Sequence, residues 1–104
     1  MSLDRMGGTT KRRARWEALK AALDAAEIPW TLVGSYTVKI GGEKPSRYMT
    51  ARVSEGADSV VRARWFSVHG PIQDPDLLLG AVSLDLDGLV DVVRAYRKDG
   101  TIPS

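Results

Sequence analysis

The chain has no cysteine and no asparagine, a single histidine and a single phenylalanine. Without thiols, disulfide frameworks, zinc ribbons and thiol catalysis are excluded, and a cytoplasmic location is expected because the absence fits a reducing compartment. Long apolar runs are missing too. The longest, Leu77-Leu78-Leu79-Gly80-Ala81-Val82, falls far short of the roughly 20 residues that cross a bilayer, so no membrane partner is expected. Met1 to Gly8 carries no apolar segment ahead of the basic run, and no secretory leader is read there. An excess of one charge is also lacking, since 15 basic residues face 13 acidic ones. Where the charges sit therefore matters more than their sum.

What is present fits one domain: 104 residues suffice for a single core without staples. Arginine is twice as common as lysine, and Ala, Gly, Asp and Val are plentiful. That composition points to a GC-rich genome, bacterial or phage-borne, and weakens any claim that each arginine was selected as an arginine.

Residues 1–8 read as a flexible arm, 9–100 as the domain and 101–104 as a tail. Thr9 or Thr10 suits the N-cap of a helix reaching about Glu27 and stopped by Pro29. Trp16, Leu19, Leu23 and Ala26 form its apolar stripe, with Arg13, Glu17, Lys20, Asp24 and Glu27 opposite. Trp30 to Ile40 alternates as one strand, with Trp30, Leu32, Tyr36, Val38 and Ile40 on one side. Gly41-Gly42-Glu43-Lys44-Pro45 is a turn into the strand Arg47 to Ser54, where Met49, Ala51 and Val53 face inward. Glu55-Gly56-Ala57-Asp58 turns into Val60 to Val68, so residues 30–68 form an antiparallel meander. Gly70-Pro71 and Asp74-Pro75 mark a loop. Leu77 to Leu84 reads as a helical turn capped by Asp74, followed by a short strand from Ala81 to Leu84.

The last helix has fuller signals. Asp85 is its N-cap, Leu84 and Leu89 form a hydrophobic staple, and Gly100 ends it ahead of Pro103. Leu86, Leu89, Val93 and Tyr96, helped by Val90, make its buried stripe. The expected fold is an α+β two-layer sandwich of order α-β-β-β-(β)-α, an antiparallel meander with both helices on one face. Double-stranded RNA-binding domains share the α-β-β-β-α order. Asp85, Asp87 and Asp91 stand where their last helix begins with lysines, so that family is not assigned.

Two constellations invite a binding role. On the strand Val60 to Val68, alternation separates Val61, Ala63, Trp65 and Ser67 from Arg62, Arg64 and Phe66. The outward set then joins Lys39, Tyr48, Arg52, Val33, Val60 and Val68 in a mixed apolar and basic face. Two readings follow for it, the first leading and the second its alternative. In one the face binds a protein, or a second copy of the chain, with Phe66, Val33 and Val68 as anchors and the arginines pairing with acids. In the other the same arginines hold phosphates and the aromatics stack on bases. Ordinary edge protection, with the cross-strand arginines flanked by Asp58 and Glu55, is the bland alternative. The second constellation is Lys11, Arg12, Arg13 and Arg15 at the positive end of the first helix, against its dipole; an anion bound there would reverse the cost.

Catalytic chemistry is thinly represented. Ser67 and His69 with Asp74 or Asp76 lack an oxyanion motif and a nucleophile elbow, so no enzyme is expected. Asp85-Leu86-Asp87 is explained by capping and Asp74-Pro75-Asp76 by turn chemistry, so neither a metal nor a cofactor is expected. Gly41-Gly42-Glu43-Lys44 lacks the spacing of a phosphate loop. Trp16, Trp30 and Trp65 all fall on inward faces and are read as core.

Overall fold

In a computed structural model describing residues 7–54, 60–68 and 76–103, the fully buried residues of the central strands all face the same side. The elements run α1 (Gly7–Ala25), β1 (Thr31–Gly34), β2 (Thr37–Gly41), β3 (Arg47–Val53), β4 (Val61–Ser67), β5 (Leu77–Leu84) and α2 (Leu86–Asp99). The five strands pair antiparallel in sequence order, giving an α+β meander with two helices. Val38, Ile40, Met49, Ala51, Val53, Val61, Ala63 and Trp65 are fully buried against Leu19 and Leu23 of α1 and Leu89, Val93 and Tyr96 of α2. Trp16 and Trp30 pack half-buried at the margin, and the Trp30 indole donates to Asp24 Oδ1 at 2.9 Å.

Helix α1 ends without the glycine that usually reverses a chain. The amide of Ile28 donates to the Leu23 carbonyl at 2.9 Å and that of Glu27 to the Asp24 carbonyl at 3.0 Å, a Schellman closure. Glu27 takes the left-handed position, with φ of 59°, and the buried Leu23 and Ile28 supply the apolar contact. The helix therefore stops at Ala25 rather than at Glu27. It also starts earlier than the threonine cap implied, because Gly7 to Thr10 already form its first turn. First-turn amides have no intrahelical acceptor, so glycine is tolerated there. Helix α2 keeps to its sequence signals: Asp85 accepts from the Gly88 amide at 2.8 Å, and left-handed Gly100 donates to the Tyr96 carbonyl at 2.8 Å.

Two strand readings are corrected. Trp30 to Ile40 is not one strand but the hairpin β1–β2, reversing at Ser35 and Tyr36 with Tyr36 left-handed at φ of 54°. A tyrosine holds this conformation because its ring is fixed on α1. It meets Trp16 edge-on at 5.9 Å, and the Arg12 guanidinium lies 4.1 Å above it. Leu32 consequently sits on an edge strand and is exposed rather than core. Leu77 to Gly80 is strand, not a helical turn. The open backbone of β4 offers hydrogen bonds along the whole of β5, and Leu79 is accommodated as a bulge between the pairs Trp65–Gly80 and Phe66–Leu78. That extra residue shifts the parity, so the segment does not read as period two.

Glycine is required at Gly42, in the β2–β3 turn. A Cβ there would lie 2.4 Å from the Tyr96 hydroxyl oxygen and 2.7 Å from its Cζ. The turn closes through Gly42 N–H to the Arg47 carbonyl and Arg47 N–H to the Lys44 carbonyl, both at 3.1 Å. The residue 1–6 part of the arm, the turn at 55–58, His69, and the proposed capping residues Asp74 and Pro75 lie outside the described residues.

Candidate functional site

With both helices on the inner side, no described element covers the outward face of the sheet, and strand register arranges it in rows. One row reads Thr37, Arg52, Arg62, Ser83 across β2 to β5. The next reads Thr31, Lys39, Thr50, Arg64, Ala81 across all five strands. The third reads Gly41, Tyr48, Phe66, Leu78. Neighbours within a row are about 5 Å apart, and rows are separated by roughly 7 Å, two residues of strand rise.

The first two rows hold the charge. Arg52 stands directly opposite Arg62, with Arg64 two residues on. Together with Thr37, Thr50 and Ser54 they line a shallow depression of about 540 Å³. No acidic side chain among the described residues pairs with Arg52, Arg62, Arg64 or Lys39. Like charges directly opposite in an antiparallel pair are destabilising. The hydroxyls of Thr37 and Ser54 already donate, to the carbonyls of Ser35 and Val60, both at 2.9 Å. Toward a ligand they can only accept. The donors of the depression are thus the three guanidinium groups and the Thr50 hydroxyl, a set suited to an anion.

The aromatic row differs from what base stacking needs. Tyr48 and Phe66 stack on each other, with centroids 5.1 Å apart and planes 21° apart. The Lys39 ammonium lies 4.5 Å from the Tyr48 centroid. One face of each ring is therefore taken by the other, and Tyr48 carries a cation as well. The Tyr48 hydroxyl donates to Asp76 Oδ2. Its pKa is pushed up to about 12, by burial first and then by the hydrogen bond and charge of Asp76.

Phe66 and the exposed Leu78 stand in the third row, and three further apolar members of the face lie at its rim. Val33 is on edge strand β1, and Val60 and Val68 flank the two ends of β4, exposed by 50, 38 and 47 %. Comparison with protein-family models, with curated proteins and with solved structures finds no match.

The basic start of α1 does not gather its four cations on one face of the helix. Successive helical residues point about 100° apart, so Lys11, Arg12, Arg13 and Arg15 spread around the helix. Arg12 turns inward, where its Nε donates to the Val53 carbonyl at 3.0 Å and its guanidinium covers Tyr36. Lys11 and Arg13 are exposed and Arg15 is half-buried. This end of the helix does reach the Val53 end of β3, beside the Arg52–Arg62 row but on the opposite side of the sheet.

Thr50 and Ser54 belong to the depression although their residue types did not single them out. Their signal was available, because the alternation that exposes Arg52 also places residues 50 and 54 on its face. Ser67 is half-buried between Arg47 and Leu77, and its supposed partner His69 lies outside the described residues. Asp85 is engaged as a cap. Among the described residues no group of three or more His, Cys, Asp or Glu side chains converges as a metal site. No helix among them is long and apolar enough to cross a membrane.

Proposed function

We propose that the protein is a non-enzymatic binding module that takes a nucleic acid by its phosphates on the open sheet face. One observation carries the reading: Arg52 and Arg62 are held opposite each other beside Arg64 and Lys39, with no acid among the described residues to pair with them. A polyanion supplies a countercharge that none of the described residues gives, and the row spacing presents cations at intervals comparable to successive phosphates. Protein interfaces place apolar anchors at the centre and polar groups at the rim. Here the cations fill two of the three rows, with Phe66 and Leu78 confined to the third and Val33, Val60 and Val68 at the margins. This favours an anionic polymer over the protein partner that the mixed composition also suggested. Because the Tyr48 and Phe66 rings occupy each other, recognition runs through the backbone and carries little base preference.

The test is binding of a labelled single strand and a duplex of mixed sequence, followed by anisotropy as salt rises. Four cations on a single strand give a slope of about −3 in log K against log salt, so affinity falls roughly fifty-fold between about 50 and about 200 mM. Arg62→Glu/Arg64→Glu abolishes binding on this reading. Failure of the wild type to bind at low salt, or a double variant that binds equally well, overturns it.

A further inference from the structure

The two edges of the sheet are built differently. Edge strand β1 has four residues and an irregular register with β2. Strand β5 has eight, Leu77 to Leu84, with neither a charge nor a proline among them. Among the described residues no backbone group hydrogen-bonds to its outer side. No β5 side chain is fully buried: Leu79, Val82 and Leu84 are half-covered, and Leu77 and Leu78 are exposed by 54 and 52 %. Natural edges of this length usually carry lysine, proline or a covering segment to prevent pairing. The bulge at Leu79 interrupts the strand only near its start, leaving Gly80 to Leu84 regular.

We infer that β5 pairs antiparallel with the β5 of a second copy, making a two-fold dimer with one continuous ten-stranded sheet. The strand is its own complement. Facing residues in an antiparallel pair share a side of the sheet, and pairing centred on Val82 satisfies this throughout the regular segment. Ala81 then faces the second copy's Ser83, small against small, on the outward side. Leu84 faces the second copy's Gly80 on the inward side, beside Ile102, which packs against Gly80. The flanking acids do not meet, because Asp85 falls opposite Leu79 and Asp76 lies beyond the pairing. The half-covered Leu79, Val82 and Leu84 gain apolar cover from the second copy, and the arginine faces of the two copies lie on the same side.

Light scattering across micromolar to submillimolar concentrations tests this on the full chain. The wild type is expected to be a dimer that dissociates on dilution. Ala81→Lys/Ser83→Lys, at two exposed outward positions, is expected to be monomeric over the same range with an unchanged circular dichroism spectrum. Because the chain has no cysteine, Ala81→Cys/Ser83→Cys gives a gain of signal: oxidation should yield a covalent dimer. A wild type that stays monomeric, a lysine variant that still dimerises, or a cysteine variant that does not cross-link overturns the proposal. None of these outcomes depends on nucleic-acid binding.

Discussion

Replacing Arg62 by threonine should make the protein more stable and a weaker binder. Arg62 faces Arg52 across the β3–β4 pair, and no acid among the described residues offsets either charge. Removing one member of a like-charged cross-strand pair relieves about 0.5 kcal/mol, within the roughly 0.2–1 kcal/mol range of such pairs, and threonine suits a strand better than arginine does. For a chain of 104 residues this raises the melting temperature by about 2–4 °C. Arg64 provides the control, since its cross-strand neighbours Thr50 and Ala81 are neutral. Arg64→Thr should leave stability within about 0.5 kcal/mol of wild type. Arg52→Thr alone should match Arg62→Thr, while the double variant gains little beyond either single one, because the repulsion is removed only once. On the proposed function, each replacement should also lower the salt slope of nucleic-acid binding by about 0.7–1. Chemical denaturation of the four variants, with a salt series for each, measures both effects. If Arg62→Thr destabilises the fold, or the Arg52 and Arg62 effects simply add, the two side chains do not oppose each other in solution. The face would then have no uncompensated charge for an anion to relieve.

Three further outcomes concern single positions. Glu27→Gly should stabilise by about 0.5–1 kcal/mol, because glycine relieves a left-handed φ of 59° and removes an acid from a helix C-terminus; an unchanged or lower melting temperature contradicts the Schellman closure. Gly42→Ala should destabilise by roughly 1–3 kcal/mol, since the new methyl meets the buried Tyr96 ring, and a neutral result in urea unfolding would show that the turn yields freely. Spectrophotometric titration should place Tyr48 at about 12, and Asp76→Asn should bring it down toward the ordinary value of 10. Because the folded pKa is raised, the contribution to stability is fully present below pH 10 and is lost as pH rises through about 12, so Asp76→Asn should narrow the alkaline loss.

Much of the architecture was legible where local signals agree. Helix α2 carries a cap, an apolar stripe and a terminal glycine, each sufficient to locate it, and all three take the structural role that the sequence assigned. Strands β3 and β4 alternate strictly, so the outward placement of Arg52, Arg62, Arg64, Tyr48 and Phe66 was readable from spacing alone. The β1–β2 reversal was hidden because its left-handed residue is a tyrosine held by Trp16 and Arg12, contacts some 20 residues or more away in the chain. Strand β5 was hidden by its bulge, which breaks the period-two pattern at the point where the pattern would have declared it. At α1, charge and position suggested an anion site; what the sequence did not show is that helical rotation spreads the four side chains and that Arg12 is drawn to the Val53 carbonyl.

The sequence by itself determined which side chains face out of the sheet, because alternation is a property of each strand's own backbone. It also determined where α2 begins and ends, because capping acts over a few residues. Only the tertiary structure decided which cation stands opposite which, that the aromatic rings occupy each other, and that one edge of the sheet is long and, among the described residues, uncovered. Those outcomes depend on register between strands, which is set by packing across the whole sheet and has no local signature. The arginines were visible in the sequence; their opposition to one another, the feature that points to an anion, exists only in the fold.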